Sequence, residues 1–263
     1  MKLNLDKYYT PVNIAEYCVK KTNEIIGNNN ISGFIEPSAG CGVFLPFLDK
    51  PYFAFDIEPA VSGIDKNDFL KLDLLYSKGK CVIGNPPFGT RNTLSVKFYK
   101  KSIHICDYIS FILPISQYNN NQQMYEFDLI YSEMLPVAEY SGVKLHCCFN
   151  IYERPKKGLN KSPINYILKD VTVLEYRRGG IYKIPIKYDF GMCSWGSIGK
   201  EIKYSGEYAQ ESYVLINNEN FKEQILDIMR KTDWKNLYPC ISTPKIQTWK
   251  IYKYLKEQIP QLV

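Results

Sequence analysis

The stretch Gly33-Phe34-Ile35-Glu36-Pro37-Ser38-Ala39-Gly40-Cys41-Gly42 passes from an apolar run straight into a turn of small residues. Gly33–Glu36 reads as a short strand, and the turn-prone residues from Pro37 onward end it, proline having no ladder donor to give. Small side chains over 38–42 let the backbone approach a ligand closely. A helix through Phe44–Leu48 would add free N–H groups beyond the turn. Taken alone, a Gly-x-Gly turn serves as readily for purely conformational reasons. The dinucleotide pattern Gly-x-Gly-x-x-Gly is not met, because the third residue after Gly42 is Leu45, and NAD is disfavoured.

Toward the N-terminus, apolar residues recur at Ile14/Ala15, Cys18/Val19 and Ile25/Ile26. That spacing predicts an amphipathic helix over Pro11–Ile26, with Pro11 in its first turn and Thr10 as N-cap. Toward the C-terminus, strands are expected at Tyr52–Asp56, Lys80–Ile83 and Tyr108–Leu113. Helices are expected at Asp68–Leu75 and Thr93–Ile103, and further strands at Val143–Tyr152 and Ile164–Glu175. Alternating strands and helices imply an α/β fold, a mainly parallel sheet with helices on both faces. Ligands of such sheets sit beyond the carboxyl ends of the strands, where each polar or glycine-rich segment of this chain falls.

The 263 residues suffice for one sizeable α/β domain and a smaller appendage. No apolar run approaches the roughly 20 residues of a membrane span, and Met1-Lys2-Leu3-Asn4 does not resemble a signal peptide. A cytoplasmic protein is expected, or a nuclear or viral-factory one in a eukaryotic host, with its eight cysteines reduced. Two histidines, and cysteines adjacent only at Cys147 and Cys148, suggest no metal. The net charge of +6 is uneven. Residues 1–153 hold 14 Lys/Arg against 16 Asp/Glu, and residues 154–263 hold 19 against 11. A basic, tyrosine-rich C-terminal part suits nucleic acid, and equally an ordinary solvated surface.

Three further segments carry chemistry. Asp56, ending its strand, can accept from both hydroxyls of a ribose or can cap a helix. Asp68 can accept from an adenine amino group while Phe69 packs on the ring, or can itself be a cap. Asn85-Pro86-Pro87-Phe88 is the decisive one. The Asn85 side-chain oxygen and the Pro86 carbonyl can each accept an N–H from one amine, directing the nitrogen lone pair outward. Prolines hold both acceptors in place, and Phe88 offers a face on which an extruded base can stack. A rigid turn ending a strand is the plainer alternative.

Residues 8–152 resemble the adenine-N6 DNA methyltransferases in which cofactor motifs precede the catalytic motif and target recognition comes last. The resemblance runs in order through Tyr9-Thr10-Pro11, Glu36-Pro37-Ser38-Ala39-Gly40-Cys41-Gly42, Phe53-Ala54-Phe55-Asp56, Asp68-Phe69 and Asn85-Pro86-Pro87-Phe88. It implies a class I, Rossmann-like methyltransferase sheet and S-adenosyl-L-methionine as cofactor. Tyr9, Thr10, Pro11, Glu36, Ser38, Ala39, Gly40 and Gly42 would hold its methionine end. Asp56 with Ile57 would hold the ribose, Asp68 with Phe69 the adenine, and Asn85 would reach both cofactor and target. It implies a target amine seated by Asn85, Pro86, Pro87 and Phe88, with Tyr140 as a second aromatic against the flipped base. A strand-end core tyrosine is the other reading of Tyr140. A catalytic domain over 1–176 and a target-recognition region over 177–263 are expected, with duplex DNA as partner. Phe88 is a tolerated variant of the usual tyrosine, and the last region is short for a recognition domain. RNA adenine methylation, protein-glutamine methylation and a non-catalytic nucleic-acid-binding module are the alternatives. The Tyr-Thr-Pro and Glu-Pro segments disfavour glutamine, and cytosine-N4 enzymes more often carry serine at the position of Asn85.

Overall fold

The structure is a computed structural model that describes residues 8–181, 183–238 and 244–263. They form two units, 1–164 and 165–263.

In the first unit, nine strands are β1 Gly33–Glu36, β2 Tyr52–Asp56, β3 Asp65–Lys66, β4 Lys80–Gly84, β5 Tyr108–Pro114, β6 Asp128–Met134, β7 Ala138–Tyr140, β8 Val143–Leu145 and β9 Cys147–Glu153. Seven of them make one sheet in the order β3-β2-β1-β4-β5-β9-β6. The first five run parallel, and β9 is inserted antiparallel between β5 and β6. This is the class I, Rossmann-like methyltransferase sheet. Both faces are covered, so the central strands are apolar at nearly every position. Ile109, Phe111 and Leu113 of β5 pack on one side with Phe98 and Tyr99 of helix α2, Thr93–Ser102. Ile112 packs on the other side with Ile14, Ala15 and Cys18 of helix α1, Val12–Ile26.

Helices are fewer than the sequence suggests. Phe44–Leu48 is only a 3₁₀ turn, Leu45–Phe47, with Pro46 inside it; a proline there removes a donor that a longer helix needs. Asp68–Leu75 likewise shrinks to a 3₁₀ turn, Phe69–Lys71. Leu70, Leu72 and Leu74 all reach the same core, a period of two that belongs to extended chain rather than helix. The expected strand Val143–Tyr152 is broken at His146, whose carbonyl accepts from the Ile115 amide. Its first part, β8, folds back on β7 across Ser141 and Gly142, both with positive φ, the geometry of a tight two-residue hairpin.

The second unit has an antiparallel sheet of β10 Val171–Arg177, β11 Phe190–Cys193 and β12 Gln210–Ile216, in the order β10-β12-β11. Val173, Met192, Val214 and Ile216 share a core with α3 Lys222–Lys231, α4 Trp234–Leu237 and α5 Thr248–Gln258. The expected strand Ile164–Glu175 therefore starts later, at Val171. It also belongs to this unit, so the boundary lies at 164/165 and not after residue 176. The charge asymmetry softens accordingly. Arg154, Lys156, Lys157 and Lys161 fall in the first unit, leaving 15 Lys/Arg against 11 Asp/Glu in the second. Among the described residues, no helix is long and apolar enough to cross a membrane.

Candidate active site

The chain leaves β1 toward β2 on one side, while β4 adjoins β1 on the other. The carboxyl ends of these three strands flank a topological switch point. A cleft of about 370 Å³ opens there, within the range of small-molecule sites.

Gly40 and Gly42 turn the loop after β1 with φ of +55° and +72°, a region costly for side chains. A Cβ on Gly40 would stand 2.9 Å from the Tyr9 ring, so that ring lies directly on the loop. The Gly40 amide donates to Asp56 Oδ2 (2.7 Å) and the Glu58 amide to Asp56 Oδ1 (2.8 Å). One carboxylate thus ties the end of β2 to the loop after β1, and each oxygen keeps lone-pair capacity for a further donor. Asp68 caps its 3₁₀ turn, accepting from the Leu70 amide at 3.1 Å, and pairs with Lys71 at 3.2 Å. It nevertheless lines the cleft, beside Phe69. Phe69 is buried and stacks on Phe98 (centroids 5.6 Å apart, planes at 14°).

Glu36, ending β1, is 1% exposed, and its Oε2 has no hydrogen-bond partner among the described residues. Burial, with the Asp56 charge adding to it, pushes its carboxyl well above the usual range. The folded state therefore holds a proton that the unfolded chain releases. Folding stability drains away as pH rises from the ordinary glutamate value through the raised one. Glu36→Gln, uncharged at every pH, should be more stable than the parent at neutral pH and equal to it in acid. Thermal unfolding midpoints across that window test this; parallel curves for the two proteins would refute it.

Gly84 ends β4 and Asn85-Pro86-Pro87-Phe88 follows. Asn85 Nδ2 donates to the Tyr8 carbonyl and to Thr10 Oγ1, both at 3.1 Å. A carbonyl can only accept, so the amide cannot be flipped. Oδ1 is consequently fixed on the other side, shielded from solvent and accepting nothing. The Pro87 carbonyl accepts from Ser95 Oγ (3.1 Å) and that of Phe88 from the Leu94 amide (3.1 Å). The loop is pinned to α2, and Phe88 is left half-buried against the cleft.

Most residues expected at the site line this cleft: Tyr9, Thr10, Glu36, Ser38, Ala39 and Gly40 on one part of its wall, Asp56, Ile57, Asp68 and Phe69 on another, and Asn85 through Phe88 on a third. Three do not. Pro11 precedes α1 and its carbonyl accepts from Ile14 and Ala15. Thr10 is no N-cap, because the cap position is Pro11 and makes no side-chain bond. Gly42 shapes the turn by donating its amide N–H to the Ala39 carbonyl (2.7 Å). Tyr140 is fully buried in the α1 side of the core, where burial and nearby Cys147 push its hydroxyl above the usual phenol range. It is the core tyrosine, not a cleft residue. Tyr8 and Phe98 go unnoticed in the sequence: one acts through its carbonyl, the other through a contact from a different element, and neither carries a motif.

Three carboxyl groups line the cleft, those of Glu36, Asp56 and Asp68. Among the described residues no Lys, Arg or His does. With Glu36 held protonated, Asp56 and Asp68 supply the negative charge, and such a wall favours donor-rich, positively charged ligands. In the second unit, Arg177 to Gly180 form an exposed strand end and turn. Gly191–Cys193, within β11, is buried, and Trp195 just beyond it is an exposed large apolar side chain.

No family model and no curated protein matches the chain. Similar solved structures include a provisionally assigned RNA methyltransferase from Pyrococcus horikoshii (16% identity over 57% of this chain and 87% of that one, TM-score 0.46). A provisionally assigned class I S-adenosylmethionine-dependent methyltransferase from Listeria monocytogenes gives 13% identity over 62% of this chain and 65% of that one, TM-score 0.47. The N-terminal domain of human METTL16 in complex with S-adenosylhomocysteine gives 12% over 58% and 75%, TM-score 0.34. The fold assignment rests on the strand order and pairing given above.

Proposed function

We propose that the protein transfers a methyl group from S-adenosylmethionine to the N6 amino group of an adenine drawn out of DNA. The observation that carries this reading is Asn85 Oδ1, a shielded acceptor held in one orientation with no protein partner. An unmade hydrogen bond of this kind costs about 1–3 kcal/mol, and an amine donor offsets it.

The cleft suits the cofactor on chemical grounds. A ligand with an ammonium and a sulfonium finds three carboxyl groups and no cation. Asp56 has acceptor capacity for ribose hydroxyls, Phe69 lines the cleft beside Asp68, and Glu36 Oε2 is an unpartnered polar atom near the glycine loop. When bound, S-adenosylmethionine supplies a methyl on positively charged sulfur. Asn85 Oδ1 accepts one N–H of the target amine. The Pro86 carbonyl, which accepts no hydrogen bond from the described residues, takes the other. Both bonds pull the nitrogen lone pair out of the ring, and acceptors already in place need no reorganisation. Phe88 provides the stacking face. The nitrogen loses its proton after it has gained the methyl, so no strong base is required.

A nucleic-acid substrate draws support from the second unit, where Arg177, Arg178, Lys183 and Lys187 are all exposed with no acid between Glu175 and Asp189. Incubation with methyl-labelled S-adenosylmethionine and mixed-sequence duplex DNA, with RNA and a protein extract in parallel, tests the proposal. Label recovered from DNA as N6-methyladenine is expected. Label confined to RNA would keep the pocket chemistry and overturn the substrate; label in glutamine would overturn the nucleic-acid reading.

A further inference from the structure

Two connections of the second unit lie side by side. Residues 178–189 join β10 to β11, and residues 194–209 join β11 to β12. Arg178 Nη2 donates to the Gly206 carbonyl (2.9 Å), and Ser205 Oγ donates to the Tyr188 hydroxyl (3.0 Å). A Cβ on Gly206 would stand 3.2 Å from Ile184 Cδ1, so the two chains are in van der Waals contact there as well.

The face they share combines apolar tips with cations. Ile186 is 99% exposed, Ile181 87% and Tyr204 64%. Apolar side chains stabilise a fold by the area they remove from water, and these two isoleucines remove almost none. A single exposed apolar residue is commonplace. Here three stand on adjoining connections, interleaved with Arg177, Lys183, Lys187 and Lys203, all of them exposed. The acids of the second connection are engaged: Glu201 pairs with Arg230 (3.5 Å), and Glu207 accepts from the Lys203 amide (2.7 Å). A membrane surface is met by the long apolar stripe of an amphipathic helix, and among the described residues of 178–209 no helix forms. Duplex nucleic acid has the complementary pattern, with anionic phosphates bordering grooves floored by stacked bases.

We infer that these paired connections are a docking surface for duplex nucleic acid, with Ile181, Ile186 and Tyr204 pressed against base steps in a groove. This deepens the nucleic-acid reading above and rests on it. The flanking cations take the phosphates on either side. Apolar side chains set among cations in this way enter a groove and part neighbouring bases. The two sets divide the work. Phosphate contacts release counterions and make affinity depend on salt, whereas the apolar contacts do not.

That division supplies the test. Binding of a mixed-sequence DNA duplex is followed by fluorescence anisotropy over a range of salt concentrations, for the parent and two variants. One variant carries Ile181→Ser, Ile186→Ser and Tyr204→Ser; the other carries Arg177→Gln, Lys183→Gln and Lys187→Gln. All six side chains are exposed, so both variants should keep the parent's thermal midpoint and its S-adenosylmethionine dissociation constant. The apolar variant should bind roughly tenfold more weakly, with the slope of log affinity against log salt unchanged. The charge variant should lose about 2–3 from that slope. Full affinity in the apolar variant would overturn the inference. So would a parent that ignores the duplex but binds phosphatidylserine vesicles through the same six residues. Duplex binding with the expected pattern, in a protein that labels no adenine, would keep the surface and sink the methyl-transfer reading. Equal formation of N6-methyladenine by the parent and both variants would do the reverse.

Discussion

Asn85→Ala should cut methyl transfer by about a hundred- to a thousandfold, the usual effect of deleting one preorganised hydrogen-bonding group at a reacting centre. Its dissociation constant for S-adenosylmethionine should change little, because the ribose and adenine contacts proposed above come from cleft residues at the end of β2 and the turn at Phe69. Asn85→Asp is the sharper variant. It keeps an acceptor of the same size, but the oxygen replacing Nδ2 would face the Tyr8 carbonyl and the Thr10 hydroxyl, which now receive its N–H groups at 3.1 Å. Acceptor then meets acceptor at Tyr8, and the side chain must turn away from the geometry that serves the amine. Both variants should be strongly impaired in methyl transfer, with nearly normal cofactor titrations by calorimetry. A parallel loss of cofactor affinity would reassign the loop to cofactor binding.

Asp56→Ala should weaken S-adenosylmethionine about a hundredfold or more. Two hydrogen bonds to a carboxylate at about 1.5–3 kcal/mol each are lost, and 1.4 kcal/mol is a factor of ten. The deficit includes a second part, since Asp56 also holds the Gly40 and Glu58 amides at 2.7 and 2.8 Å. Without it the glycine loop loses its tie to β2. Equilibrium titration with the cofactor decides the matter, and an unchanged dissociation constant would remove Asp56 from the ribose site.

What the sequence made legible was local. Strands buried on both faces read as continuous apolar runs, which is why Phe34-Ile35 and Ile109–Leu113 are plain. The motifs at their ends are contiguous, and each lands on the same cleft because parallel strands deliver their ends to one edge. Features that depend on partners distant in the chain stayed hidden. Edge strand β6 mixes exposed Asp128 and Ile130 with half-buried residues and shows no clean period. The brace on Asn85 comes from a backbone carbonyl 77 residues away, and no side-chain pattern announces it. Tyr140 has the right place in the order of motifs, yet the β7–β8 hairpin turns it into the core. Val171–Arg177 looks like one more strand of the first sheet until its seven pairings with β12 claim it for the second.

The two crossovers built from 3₁₀ turns leave β2 and β3 thinly covered, with Tyr52 and Phe53 about half exposed and both residues of β3 exposed. Few buried contacts hold this edge, so it should open locally at a free-energy cost far below that of global unfolding. Amide protons of β2 and β3 should then trade for deuterium well before those of β4, β5 and β9. A ligand gripping Asp56 closes that same edge, so the cofactor should slow exchange in β2 and the glycine loop while leaving the central strands untouched. Uniform slowing across the sheet would mean the edge opens only with the whole unit. On this view the protein completes its own cofactor site by annealing one side of its sheet around the ligand, spending binding energy on local folding.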